Sequence, residues 1–88
     1  MNTQTDLPPA QPRPIYEIAA EIQREWKKVN FAAAPYLSAM HSLRDAGSTY
    51  GCDSAQSIVL YFLGNAQGWR GEAAKRIKQE LKQIIGVK

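Results

Sequence analysis

The chain has 88 residues, 44% apolar and 22% charged, with a net charge of +3 and one cysteine. That length allows one domain, and a single cysteine excludes an intrachain disulfide scaffold. The longest apolar run, Ile58 to Leu63, falls far short of the ~20 residues that cross a bilayer. Residues 1–14 carry no apolar stretch of the secretory kind, so a cytoplasmic protein without a membrane partner is expected.

Four of the five prolines stand at positions 8, 9, 12 and 14. Proline fixes φ and removes a donor, so residues 1–13 are expected to form a flexible Pro-rich tail ahead of one helical domain, 14–88. The tail contains Pro9-Ala10-Gln11-Pro12, a PxxP spacing that can dock an aromatic groove but also arises easily in a solvated leader.

Pro14 suits the first turn of a helix. Ile15, Ile18, Ile22, Trp26 and Val29 follow at helical spacing, which predicts an amphipathic helix that stops at Asn30. A second helix is predicted to open near Pro35, to bury Leu37, Met40 and Leu43, and to end at Gly47. The loop "GSTYGCD" follows, and Asp53 with Gln56 reads as a capping box for a third helix. The centre of that helix, "IVLYFL", is apolar all the way round, so burial on most sides is expected. Gly64 and Gly68 then bracket a break. Ala73, Ala74, Ile77, Leu81, Ile84 and Ile85 form the stripe of a fourth helix that Gly86 stops. The expected fold is all-α, a small four-helix bundle.

Catalytic chemistry is not visible in this pattern. Ser38, His41 and Asp45 crowd one side of the second predicted helix, but a triad needs groups brought together from separate elements. Cys52 lacks an activating partner. One His and one Cys do not make a zinc site. Gly64, Gly68 and Gly71 match neither the dinucleotide nor the Walker loop. No enzyme activity, cofactor or metal is expected.

The charge is unevenly placed. Residues 1–68 carry five basic and six acidic side chains, whereas residues 69–88 carry six basic and two acidic. Lys75, Arg76, Lys78 and Lys82 fan away from the Ile77/Leu81/Ile84 stripe, and Glu72 and Glu80 lie four residues from Arg76, close enough to pair with it. Four such cations can touch phosphates without reading sequence. A helix-turn-helix fits poorly, because its turn is shorter than "GSTYGCD" and the groove helix would carry "SIVLYFL". Trp69 and Arg70 are of the types enriched at binding hot spots, although a tryptophan in so short a chain also suits the closing of the core's end, with Arg70 paired to a carboxylate; the loop at Tyr50 joins them as a candidate contact.

The stretches "PIYEIAAEIQREW", "APYLSAM" and "YGCDSAQSIVLYFLGNAQGWRGEAAKRIKQEL" resemble small proteins scattered through phages, prophages and plasmids. No activity comes with that resemblance. It implies an accessory protein of a mobile element, of the sort that binds and modulates or inhibits a host protein, defence proteins included. The expected function is therefore non-enzymatic protein binding through Tyr50, Trp69, Arg70 and Arg76. The alternative is non-specific nucleic-acid binding through Lys75, Arg76, Lys78 and Lys82. Homo-oligomerisation fits either, since so small a core gains from added burial.

Overall fold

The buried stripe Ile15, Ile18, Ala19 and Ile22 lies on α1, Ile15–Glu25, in the computed structural model, which describes residues 13–86. The predicted tail and its PxxP lie almost wholly outside the described residues. Pro14 sits one position before α1 in an extended conformation (φ −59°, ψ 145°). The first two N–H groups of α1 have no partner within the helix. Ile15 donates instead to the Arg44 carbonyl and Tyr16 to that of Leu43, both at 2.9 Å. The helix ends at Glu25 rather than at the expected Asn30. Trp26 leaves helical geometry (φ −103°, ψ 88°), and its ring packs against Phe62 and Trp69.

α2 covers only Ala34–Met40, with Pro35 in its first turn. The expected extension to Gly47 is replaced by turns. Ser48 Oγ accepts from the N–H groups of Arg44 and Asp45, each at 3.1 Å, and Asp45 Oδ1 accepts from the Gly47 N–H at 2.9 Å. Side chains of this kind offer the backbone local partners that compete with the helix.

The helical chain also carries one small sheet, which the expected all-α bundle lacks. Part of "GSTYGCD" pairs as a two-stranded antiparallel hairpin, β1 (Thr49–Tyr50) against β2 (Asp53–Ser54), in the register Thr49↔Ser54 and Tyr50↔Asp53. Gly51 takes φ +63° at its turn, where a side chain would be strained. Asp53 is thus a strand residue and not the predicted cap. Ser54 caps α3, Ala55–Gly64, by accepting from the Ser57 N–H at 3.1 Å. Gln56 reaches across to donate to the Ile85 carbonyl at 3.2 Å. α4 spans Glu72–Ile85 and stops at Gly86 (φ +80°), as the sequence predicts.

The chain is mostly helical. Each helix packs on the next in chain order, and α4 closes back on α1. Phe62, Ile15, Ile18, Ile22, Met40, Leu43, Ile77, Leu81 and Val59 fill the shared interior with no exposure of note. Each such side chain contributes about 1.5–3 kcal/mol by leaving water. α3 is less enclosed than its sequence suggests. Ile58, Val59 and Phe62 point inward, but Leu60 and Tyr61 stay 43% and 57% exposed, because α2 and α4 cover two sides and no other described helix covers the third. Among the described residues, no helix is long and apolar enough to cross a membrane.

Candidate interaction surface

Charge divides this molecule by helix pair. Residues 29–43 and 54–69, which hold α2 and α3, contain no Asp, Glu, Lys or Arg, whereas α1 and α4 carry both signs. The cores of protein interfaces are depleted in charge and enriched in aromatic residues. Within these intervals Phe31, Leu60 and Tyr61 are exposed, and so is Tyr50 of the hairpin, which pairs with Asp53.

A groove of about 540 Å³ lies between α2, the hairpin and α3. Pro35, Tyr36 and Ala39 come from α2, Tyr50 and Asp53 from the hairpin, and Ile58 and Tyr61 from α3. The rings of Tyr36 and Tyr61 meet at 5.5 Å with a 31° tilt. Tyrosine has an apolar face and a hydroxyl that both donates and accepts, so three around one groove suit a partner surface of mixed polarity. Tyr50, a candidate from the sequence, lies here. Tyr36, Tyr61, Leu60 and Phe31 were missed. The missing signal was the long interval without charge, which helical periodicity does not register.

The other candidates fall elsewhere and do not form one site with Tyr50. Trp69 is 5% exposed and stacks on Trp26, with ring centroids 5.4 Å apart and planes 7° from parallel. It packs the core rather than offering a contact. Lys78 sits over that ring at 5.9 Å and donates to the Trp69 carbonyl at 2.7 Å. Its pKa is lowered first by burial and then by Lys82 and Arg70.

Arg76 is also engaged, though not with the carboxylates of its own helix. Its Nη2 donates to Glu21 Oε2 on α1 at 2.7 Å, while Glu80 takes a bidentate pair from Arg13, at 2.9 and 2.7 Å. Arg13 Nη2 also lies 2.8 Å from Glu21 Oε1, an ion contact without an aligned hydrogen bond. Glu21 is mostly buried. The Arg76 hydrogen bond, and after it the nearby charge of Arg13, holds its carboxyl below the usual range against the opposing effect of burial. Arg13, drawn into the tail by sequence, is therefore tied to α1 and α4.

Arg70 and Lys75 remain exposed and Lys82 half-exposed. Arg70 and Lys75 border a hollow of about 450 Å³ at the start of α4, with Gly71, Glu72 and Lys78 also on its wall. The basic surface is thus smaller than the sequence implies, since two of its four named cations serve internal partners.

The residues weighed for catalysis are dispersed. His41 pairs with Gln23 on α1 (Nε2 to Oε1, 2.7 Å), not with Asp45, which organises the turn at Gly47. Cys52 is exposed in the hairpin turn. Among the described residues no three His, Cys, Asp or Glu side chains gather around a common point. In comparisons with protein-family models, curated proteins and solved structures, the chain matches none.

Proposed function

We propose that this chain is a non-enzymatic binding module built on a four-helix bundle, and that it engages another protein through the groove of Tyr36, Tyr50 and Tyr61. The observation that carries this reading is the gathering of Tyr36, Tyr50 and Tyr61 around one groove whose wall has Asp53 as its single charged residue, with Tyr50 and Tyr61 exposed. Aromatic residues are enriched, and charged ones depleted, at the centres of protein interfaces. The resemblance to mobile-element proteins supports a host protein as the partner, bound so as to modulate or inhibit it. The dispersal of Ser38, His41 and Asp45 supports a role without catalysis.

A photoreactive amino acid replacing Asp53, on the wall of the groove, tests the reading in host lysate. Crosslinks to a defined protein are expected, and Tyr36→Ala with Tyr61→Ala should abolish them while the helical circular dichroism persists. Crosslinks that ignore both substitutions would refute the groove. A second reading, phosphate binding near the start of α4, is supported by Arg70, Lys75 and Lys82, which have no ion-pair partner among the described residues.

A further inference from the structure

The composition of the tyrosine groove narrows what fits it. Grooves walled by aromatic rings take proline-rich segments in the polyproline II conformation, which is stiff before it binds and so loses little entropy. Such a segment has no internal hydrogen bonds, and its carbonyls can therefore accept from tyrosine hydroxyls. The rings of Tyr36 and Tyr61, 5.5 Å apart, supply one aromatic face, and Tyr50 on the hairpin supplies a second.

A sequence that suits these faces lies in the chain itself. Residues 8–12 read Pro8-Pro9-Ala10-Gln11-Pro12, with no charge. Polyproline II has three residues per turn, so Pro9 and Pro12 project from one edge, about 9 Å apart.

The fold also roots this segment close to the groove. Pro12 stands three residues before Ile15, and Pro9 six. Ile15 and Tyr16 are pinned through their N–H groups to the carbonyls of Arg44 and Leu43. Leu43 follows directly from the groove wall: Ser42 donates to the Ala39 carbonyl at 3.0 Å, and Leu43 to that of Met40 at 3.1 Å. Ser48, whose Oγ accepts from the Arg44 N–H, also accepts at its carbonyl from the Ala55 N–H, at 2.9 Å. The chain thus enters α1 at the end of the bundle where α2 leaves the groove and where the hairpin and α3 begin. From that anchor about 10 Å of extended chain reaches Pro12, and about 20 Å reaches Pro9. Arg13, held by Glu21 and Glu80, fixes the root.

We propose that residues 8–12 occupy the tyrosine groove of their own chain as a polyproline II segment, a plug that an incoming partner must displace. So small a contact would be too weak between separate molecules. A short tether, however, holds the segment at an effective concentration on the order of 1 mM. An intrinsic dissociation constant of about 1 mM then fills the groove in half of the molecules, and a tighter contact fills more. The inference rests on the groove being a binding surface, as proposed above.

Cys52, the single cysteine of the chain, is exposed in the hairpin turn between Tyr50 and Asp53 and accepts a nitroxide label without any substitution. In the full chain labelled with nitrogen-15, the amide peaks of Ala10 and Gln11 should lose most of their intensity and regain it when ascorbate reduces the radical. Tyr36→Ala with Tyr61→Ala should restore both peaks with the radical intact. So should Pro9→Gly with Pro12→Gly, which leaves the packed helices untouched. In a mixture of nitrogen-15 chain without nitroxide and nitroxide-bearing chain without nitrogen-15, the peaks should keep their intensity. Undiminished peaks in the labelled parent overturn the inference. So does a loss that either pair of substitutions leaves in place, which is proximity without docking, or an equal loss in the mixture, which assigns the groove to a second copy. The sample is the isolated chain, so the result is independent of host crosslinks. Crosslinks through the groove alongside undiminished tail peaks would remove the plug and keep the function proposed above.

Discussion

Trp69→Ala separates a core residue from a contact residue. The indole is 5% exposed, stacks face to face on Trp26 at 5.4 Å, and lies beside the Phe62 contact that Trp26 makes edge-on at 6.2 Å. Removing a buried aromatic ring from such a site costs about 3–5 kcal/mol, of which the stack accounts for about 1. A chain of this length has roughly 4–13 kcal/mol of stability in all, so the loss takes about a quarter of it or more. For a domain of this size that is about 12–40 °C in Tm. Urea unfolding followed by circular dichroism would measure it, and emission from the remaining Trp26 would report whether the core end has opened to water. A stability within about 1 kcal/mol of the parent, the range of an ordinary surface change, would refute the packing argument. If partner binding were lost at the same time, Trp69 would return as an anchor.

Three further outcomes follow from the contacts. Ser54→Ala should cost about 1 kcal/mol by removing the α3 cap, whereas Asp53→Ala should stay within about 0.5 kcal/mol; urea midpoints decide, and the reverse order would restore the Asp53 box. Glu21 has a folded-state pKa below its unfolded one, so its stabilisation is complete above about pH 4.3 and is lost as acid carries the pH through the lower folded value. Glu21→Gln should accordingly flatten the acid limb of stability against pH, and parallel limbs for the two proteins would count against the Arg76 and Arg13 pairing. If the chain binds duplex DNA, the exposed Arg70, Lys75 and Lys82 imply a log–log salt slope of about −3. Fluorescence anisotropy should give that value, and changing all three to glutamine should bring it close to zero; a slope kept in that variant would move the phosphate contacts elsewhere.

Helix existence was legible in the sequence because it is written locally. The stripes on α1 and α4 repeat every three or four residues, and an amphipathic helix has one way to bury such a stripe. Gly86 ended α4 as read, since a left-handed residue after the last turn is a local requirement. Helix ends set by particular side-chain contacts, near or distant, were not legible. α1 stops at Glu25 with Trp26 turned onto Trp69, and α2 stops at Met40 where Asp45 and Ser48 take over the backbone bonds. Ser54 rather than Asp53 caps α3 because the hairpin register assigns Asp53 to a strand.

The candidate surface divides in the same way. The sequence by itself determined that the chain makes four helices, that α1 and α4 each bury one face, and that Tyr50 lies in a connection between helices. It could not orient α3, whose apolar residues surround the axis and so specify no inner side. The tertiary structure decided that by closing α2 and α4 on two sides, which turned Ile58, Val59 and Phe62 inward and left Leu60 and Tyr61 out. It also chose among the ion pairs. Arg76 had carboxylates four residues away on either side, yet it joined Glu21, a mostly buried carboxylate on the packed face of α1. A neighbour on the same exposed helix face offers only a screened charge, whereas a carboxylate partly withdrawn from water gains more from a cation that reaches it. Periodicity specifies which face a helix will bury. Which helices meet, and which side none of them covers, depends on all four packing at once.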